Sequence, residues 1–77
     1  MDYDGFLEWL KTEKNMSIRS ARDTVSRLKR VLRIVDENSI SLRTTDKLNR
    51  TTEFVNSSIF IKSQLRRAVT LYQEFKK

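Results

Sequence analysis

Two stretches of this chain, residues 17–35 and 58–75, repeat one design: an apolar stripe at helical spacing, backed by a basic or hydrogen-bonding stripe on the opposite side. In the first, Ala21, Val25, Leu28, Leu32 and Val35 share one face, and Arg19, Arg22, Ser26, Lys29, Arg30 and Arg33 gather within an arc of about 100° away from it. In the second, Ile61, Leu65, Ala68, Tyr72 and Phe75 are the apolar set, and Lys62, Arg66, Thr70, Gln73 and Lys77 line the far side. Such a pattern points to two amphipathic helices that share a core.

The rest of the composition agrees with an all-helical fold. Proline is absent, Gly5 is the single glycine, and no segment alternates apolar and polar residues long enough to make a strand. The 77 residues suffice for one domain, burying about 60 to 65% of the surface of the unfolded chain. Cysteine and histidine are both missing, which removes disulfides, thiolate chemistry and nearly every transition-metal site, and leaves only scattered carboxylates suited to hard cations. No metal, cofactor or small-molecule substrate is expected, and the fold must rest on packing. The acidic start and short apolar runs point to neither a signal peptide nor a membrane span, and so to a cytoplasmic protein.

Local signals predict the remaining elements. Asp2 caps a first helix reaching about Glu13, with Tyr3, Phe6, Leu7 and Leu10 as its inner stripe and Trp9 at the margin. Gly5 in that first turn costs about 1 kcal/mol against alanine, so the helix start either frays or packs closely on a neighbour. Lys14-Asn15-Met16 forms a turn, Ser17 caps the second helix, and that helix stops at Asp36-Glu37-Asn38. Between residues 39 and 57 the many Thr, Ser and Asn residues favour one or two short helices. Thr44 or Thr45 is the cap there, and Ile40, Leu42, Leu48, Phe54 and Val55 are the candidates for burial. Ser58 caps the last helix. The expected architecture is a compact all-α bundle of four helices, or five with a short extra turn.

The net charge of +6 is concentrated on the two amphipathic stretches. Residues 17–35 carry six bases against Asp23 alone, and residues 58–77 carry five against Glu74 alone, while the other segments are slightly acidic. Cationic helices on a shared core suit a polyanion, and duplex DNA is the commonest one. Guanidinium groups fork onto phosphates or a guanine edge; Gln73 can pair with adenine, and Thr70 can meet a phosphate or a thymine methyl. The competing reading for each of these residues is an ordinary solvated helix face, and it weighs most on Thr70 and Gln73. Phe6, Trp9, Phe60, Tyr72 and Phe75 sit at core spacing and are expected to pack inside instead of stacking on bases. No phosphate loop, carboxylate pair or nucleophile-base motif is present, so the chain by itself is not expected to be an enzyme.

The segments Phe6-Leu7-Glu8-Trp9-Leu10, Met16-Ser17 leading into Ala21, Val25, Leu28 and Leu32, and Ser63-Gln64-Leu65-Arg66-Arg67-Ala68-Val69-Thr70-Leu71-Tyr72-Gln73-Glu74-Phe75 resemble the N-terminal SAM-like, core-binding domain of phage integrases and other tyrosine recombinases. The resemblance spans nearly the whole chain and lies in helix lengths and apolar spacing. It implies a four-helix domain forming half of a clamp around duplex DNA in site-specific DNA recombination and integration, with the second and fourth helices facing the major groove. By position, Arg19, Arg22, Lys29, Arg33, Lys62 and Arg66 become its expected DNA contacts. Members of that family continue into a catalytic domain bearing an arginine, a His-x-x-Arg motif and a nucleophilic tyrosine. Tyr72, on a core face and without a histidine anywhere in the chain, is not that tyrosine. The resemblance therefore implies either a domain of a larger recombinase, with its catalytic domain as partner, or a free-standing protein using the fold otherwise. A second function class stays open beside DNA binding: a small phage or mobile-element module that docks on, or inhibits, an acidic protein or nucleoprotein. Membrane binding is disfavoured because the apolar stripes are used inside the fold.

Overall fold

The structure is a computed structural model that describes all 77 residues. Five helices follow one another: α1 (Tyr3–Thr12), α2 (Ile18–Val35), α3 (Thr44–Asn49), α4 (Thr52–Val55) and α5 (Ile59–Phe75). The result is an all-α bundle in which two long helices carry three short ones, and no helix is long and apolar enough to cross a membrane.

Helix starts are set by side-chain caps. The carboxylate of Asp2 accepts from the Gly5 N–H at 2.9 Å, the Ser17 hydroxyl from the Ser20 N–H at 3.1 Å, and the Ser58 hydroxyl from the Ile61 N–H at 3.2 Å. A Cβ on Gly5 would lie 2.2 Å from Oδ2 of Asp2, so the glycine is the close approach that lets this cap fold over the first turn. α3 differs: Thr44 is its first residue and has no side-chain cap below it, and its own hydroxyl instead accepts from the Ser41 N–H at 2.8 Å, tying down the approaching turn. The end of α2 is a left-handed stop at Asp36, φ 56°, where the Glu37 N–H reaches back to the Leu32 carbonyl at 3.0 Å and the Asp36 N–H to that of Arg33 at 3.3 Å.

α2 and α5 form the most extensive helix pair, with α1 on one flank and α3 on the other. They run antiparallel: Ala21 and Leu28 of α2 share a cluster with Ala68, Leu71 and Tyr72 of α5, while Val31 and Val35 share a second cluster with Leu65 and Val69. α1 closes the first cluster with Phe6 and Leu10; Leu48 and Phe54 close the second. Phe6 is the hub of an aromatic group, with ring centroids 5.0 Å from Tyr72, 5.6 Å from Phe75 and 6.1 Å from Trp9. Edge-to-face geometry against Tyr72 adds roughly 0.5–1.5 kcal/mol to what burial alone contributes. Only 16 of the 77 residues are buried, so each core side chain carries a large share of a small total.

Three apolar residues expected inside lie outside. Leu42 is 89% exposed because Ile40 takes the inward place, and the turn pinned by Thr44 swings the next apolar side chain away. Val55 is 51% exposed because α4 is a single turn whose inward position is filled by Phe54, one residue and about 100° earlier. Phe60 is 79% exposed, and Ile59 beside it 76%, because the fully buried positions of α5 begin only at Leu65; of the apolar residues in that first turn, Ile61 alone turns inward.

Candidate nucleic-acid interface

The cationic face of α2 follows from its buried one. Ala21, Thr24, Leu28, Val31, Leu32 and Val35 are buried, and at 100° per residue the outward centre of the helix falls between Ser26 and Arg19, with Arg33 and Arg30 next on either side and Arg22 and Lys29 beyond Arg33. Arg19, Arg22, Ser26, Lys29 and Arg33 are all exposed. Arg30, although close to that centre, is half-buried, and its Nε is enclosed without a hydrogen-bond partner. Arg27 is half-buried on the edge nearer the core. An 18-residue helix at about 1.5 Å per residue makes this face about 27 Å long.

None of these bases is spent on an ion pair. The three ion pairs of the protein are Lys11–Glu8 at 3.2 Å, Lys14–Glu74 at 2.6 Å and Lys47–Glu37 at 2.6 Å, and no side chain of α2 takes part in any of them. Asp23, the single acid of α2, pairs with no base. α1 contributes an edge to this face. Tyr3, Asp4 and Leu7 join Arg22, Val25, Ser26 and Lys29 around a groove of about 310 Å³, and Nζ of Lys29 stands 4.9 Å from the centre of the Tyr3 ring. That contact restrains the lysine stem while its ammonium stays at the surface.

The polar arc of α5 has a different job. Nε and Nη2 of Arg66 both donate to Oδ1 of Asn49, at 3.3 and 3.2 Å, and the guanidinium lies 5.2 Å from the Phe54 ring centre. Nε2 of Gln73 donates to the Ser41 carbonyl at 2.9 Å. These two side chains clasp α3, α4 and the segment before them onto α5, which occupies the Gln73 amide that base reading would need. Lys62 is half-buried one turn before Arg66, and Thr70 is exposed without a partner.

The two basic arcs do not merge. α2 and α5 meet core stripe to core stripe, so the outward faces opposite those stripes point away from each other, and Lys62, Arg66 and Gln73 lean from α5 towards α3. The structure therefore brings together Arg19, Arg22, Ser26, Lys29, Arg30 and Arg33, and sets Lys62, Arg66, Thr70 and Gln73 on a separate surface. Around α3 stands a run of bases that sequence reasoning missed: Arg43, Lys47 and Arg50, spaced i, i+4, i+7, with Arg43 and Arg50 as the residues flanking the helix, gathered with Glu37, Ser41, Thr44 and Asp46 around a separate groove. The same helical arithmetic would have found it, had the boundaries of α3 been clear amid the surrounding Thr and Asn residues.

No three carboxylates lie close enough together to hold a metal ion, and the side chains exposed on the outer face of α2 are guanidinium, ammonium and hydroxyl groups, which bind anions. Comparison with protein-family models, curated proteins and solved structures gives no match.

Proposed function

We propose that the protein is a non-catalytic, cytoplasmic DNA-binding module that lays α2 along the duplex, with Arg19, Arg22, Lys29, Arg30 and Arg33 meeting phosphates and Ser26 at the centre of the contact. The observation that carries this reading is a single long helix bearing six bases, none of them in an ion pair. A major groove about 12 Å wide admits a helix, and arginines on its outer face reach both the phosphate ridges and guanine O6 and N7. Of the two helices that the resemblance to recombinase core-binding domains assigns to DNA, α2 has the surface for it, and α5 is engaged largely in holding α3. A core-binding role in recombination thus rests on α2, with a duplex as the principal partner.

The test is fluorescence anisotropy with a labelled duplex of mixed sequence. The variant R22Q/K29Q/R33Q alters three exposed side chains and keeps the helical circular-dichroism signal, yet loses most of the affinity; unchanged binding would refute the assignment. The groove beside α2 favours a second reading. Its lining combines apolar Tyr3, Leu7 and Val25 with Arg22 and Lys29 against the single acid Asp4, a net positive edge that suits an acidic protein segment with an apolar anchor. Failure to bind any duplex, together with binding of such a peptide, would favour it.

A further inference from the structure

We infer that the junction of α4 and α5 is a self-association surface, through which two copies of this chain pair in solution. The run Phe54-Val55-Asn56-Ser57-Ser58-Ile59-Phe60-Ile61 is the longest in the sequence without a charged residue. Phe54 is buried and Ile61 packs on the second core cluster, but Val55, Ile59 and Phe60 are each more than half exposed. Of the large apolar side chains left in solvent, these three fall together in the chain, whereas Met1, Ile18 and Leu42 stand singly, each beside a charged neighbour.

The first turn of α5 aims its two apolar side chains outward. With Leu65, Ala68, Val69, Leu71 and Tyr72 turned inward, a spacing of 100° per residue sets Ile59 and Phe60 on either side of the outward line, with Ser63 between them one turn on. Gln64, also one turn on from Phe60, is exposed and uncharged like Ser63. Two bulky apolar side chains beside a small one make a self-complementary relief. Under a two-fold axis, with the helices antiparallel, the Phe60 ring of one copy lies over Ser63 of the other. Charge selects the occupant. Two copies of a chain with net charge +6 repel, and they meet at least cost where neither brings a charge. An acidic partner is drawn instead to the unpaired bases of α2, whose outward face points away from that of α5. Area sets the strength: Val55, Ile59 and Phe60 together present about 350 Å², against about 800 Å² per partner in a standard interface, so the pair is weak and forms at protein concentrations of about 0.1–1 mM.

The experiment is sedimentation equilibrium of the full chain without nucleic acid, from about 20 μM to about 1 mM, so its outcome is independent of the α2 reading. The mass rises with concentration and levels at that of two chains, because a two-fold contact closes on itself. Raising salt from about 50 to about 500 mM screens the repulsion between copies and tightens pairing about threefold, opposite in sign to the effect on duplex binding. I59S/F60S keeps the helical circular-dichroism signal and weakens pairing about tenfold, V55S weakens it about threefold, and L42S leaves it unchanged. Protein that stays monomeric up to about 1 mM would overturn the inference and leave the patch to a partner of different sequence. So would pairing that I59S/F60S leaves intact, that weakens as salt rises, or that grows beyond two chains.

Discussion

Replacing Gly5 by alanine should leave stability almost unchanged, although glycine in a helix ordinarily costs about 1 kcal/mol relative to alanine. Two effects of similar size cancel. The new methyl would sit 2.2 Å from Oδ2 and 2.7 Å from Cγ of Asp2, so the cap carboxylate must swing off the Gly5 N–H that it now accepts from at 2.9 Å. Losing an N-cap costs about 1 kcal/mol, which offsets the gain in helix propensity. In the D2A background the cap is already gone, and the same G5A change should stabilise by about 1 kcal/mol. The double-mutant cycle therefore has a coupling of about 1 kcal/mol between two residues three apart. Urea unfolding followed by circular dichroism and by the fluorescence of Trp9, the single tryptophan, reads this directly. With a slope of about 1 kcal/mol per molar urea, the G5A midpoint moves about 1 M upward in D2A protein and hardly at all in wild type. A gain of the full amount in both backgrounds would show that the cap and the glycine are independent, and would refute the close-approach account.

Further expectations concern the core and its edges. Phe6→Leu should cost about 1–2 kcal/mol and Phe6→Ala about 3–5, the latter enough to unfold much of a domain this small at room temperature; urea titration measures the first and the loss of helical signal the second. Asp36→Gly should stabilise by about 1 kcal/mol, because it removes both the left-handed strain at φ 56° and a negative charge at a helix C-terminus, and thermal melting would show it. Leu42→Ser and Phe60→Ser should each change stability by no more than about 0.5 kcal/mol, in contrast with any residue of the two buried clusters.

What the sequence made legible was mostly local. Asp2, Ser17 and Ser58 mark three helix starts correctly because a cap is a contact between residues three apart, and the stop after Val35 is written in the polar run that follows it. The outward face of α2 was readable for the same reason: one period and one buried stripe fix it. The role of Arg66 and Gln73 was not, since their partners Asn49 and Ser41 lie 17 and 32 residues away. Nor does periodicity say how far a neighbouring helix reaches, and so Phe60, in register with an apolar pattern, projects where α5 has yet to meet its fully buried stretch. The divergence of the two basic faces is a tertiary fact of the same kind. It follows once α2 and α5 are known to pack stripe to stripe.

The central claim, that unpaired cations on one face of α2 grip nucleic acid, is tested most directly by the salt dependence of duplex binding. Five phosphates met by Arg19, Arg22, Lys29, Arg30 and Arg33 give a slope of log affinity against log salt of about −4.5, or about a 500-fold loss between 50 and 200 mM, and R22Q/K29Q/R33Q makes that slope shallower by about 2.7. A slope near zero, or one that the triple substitution leaves untouched, would contradict the account.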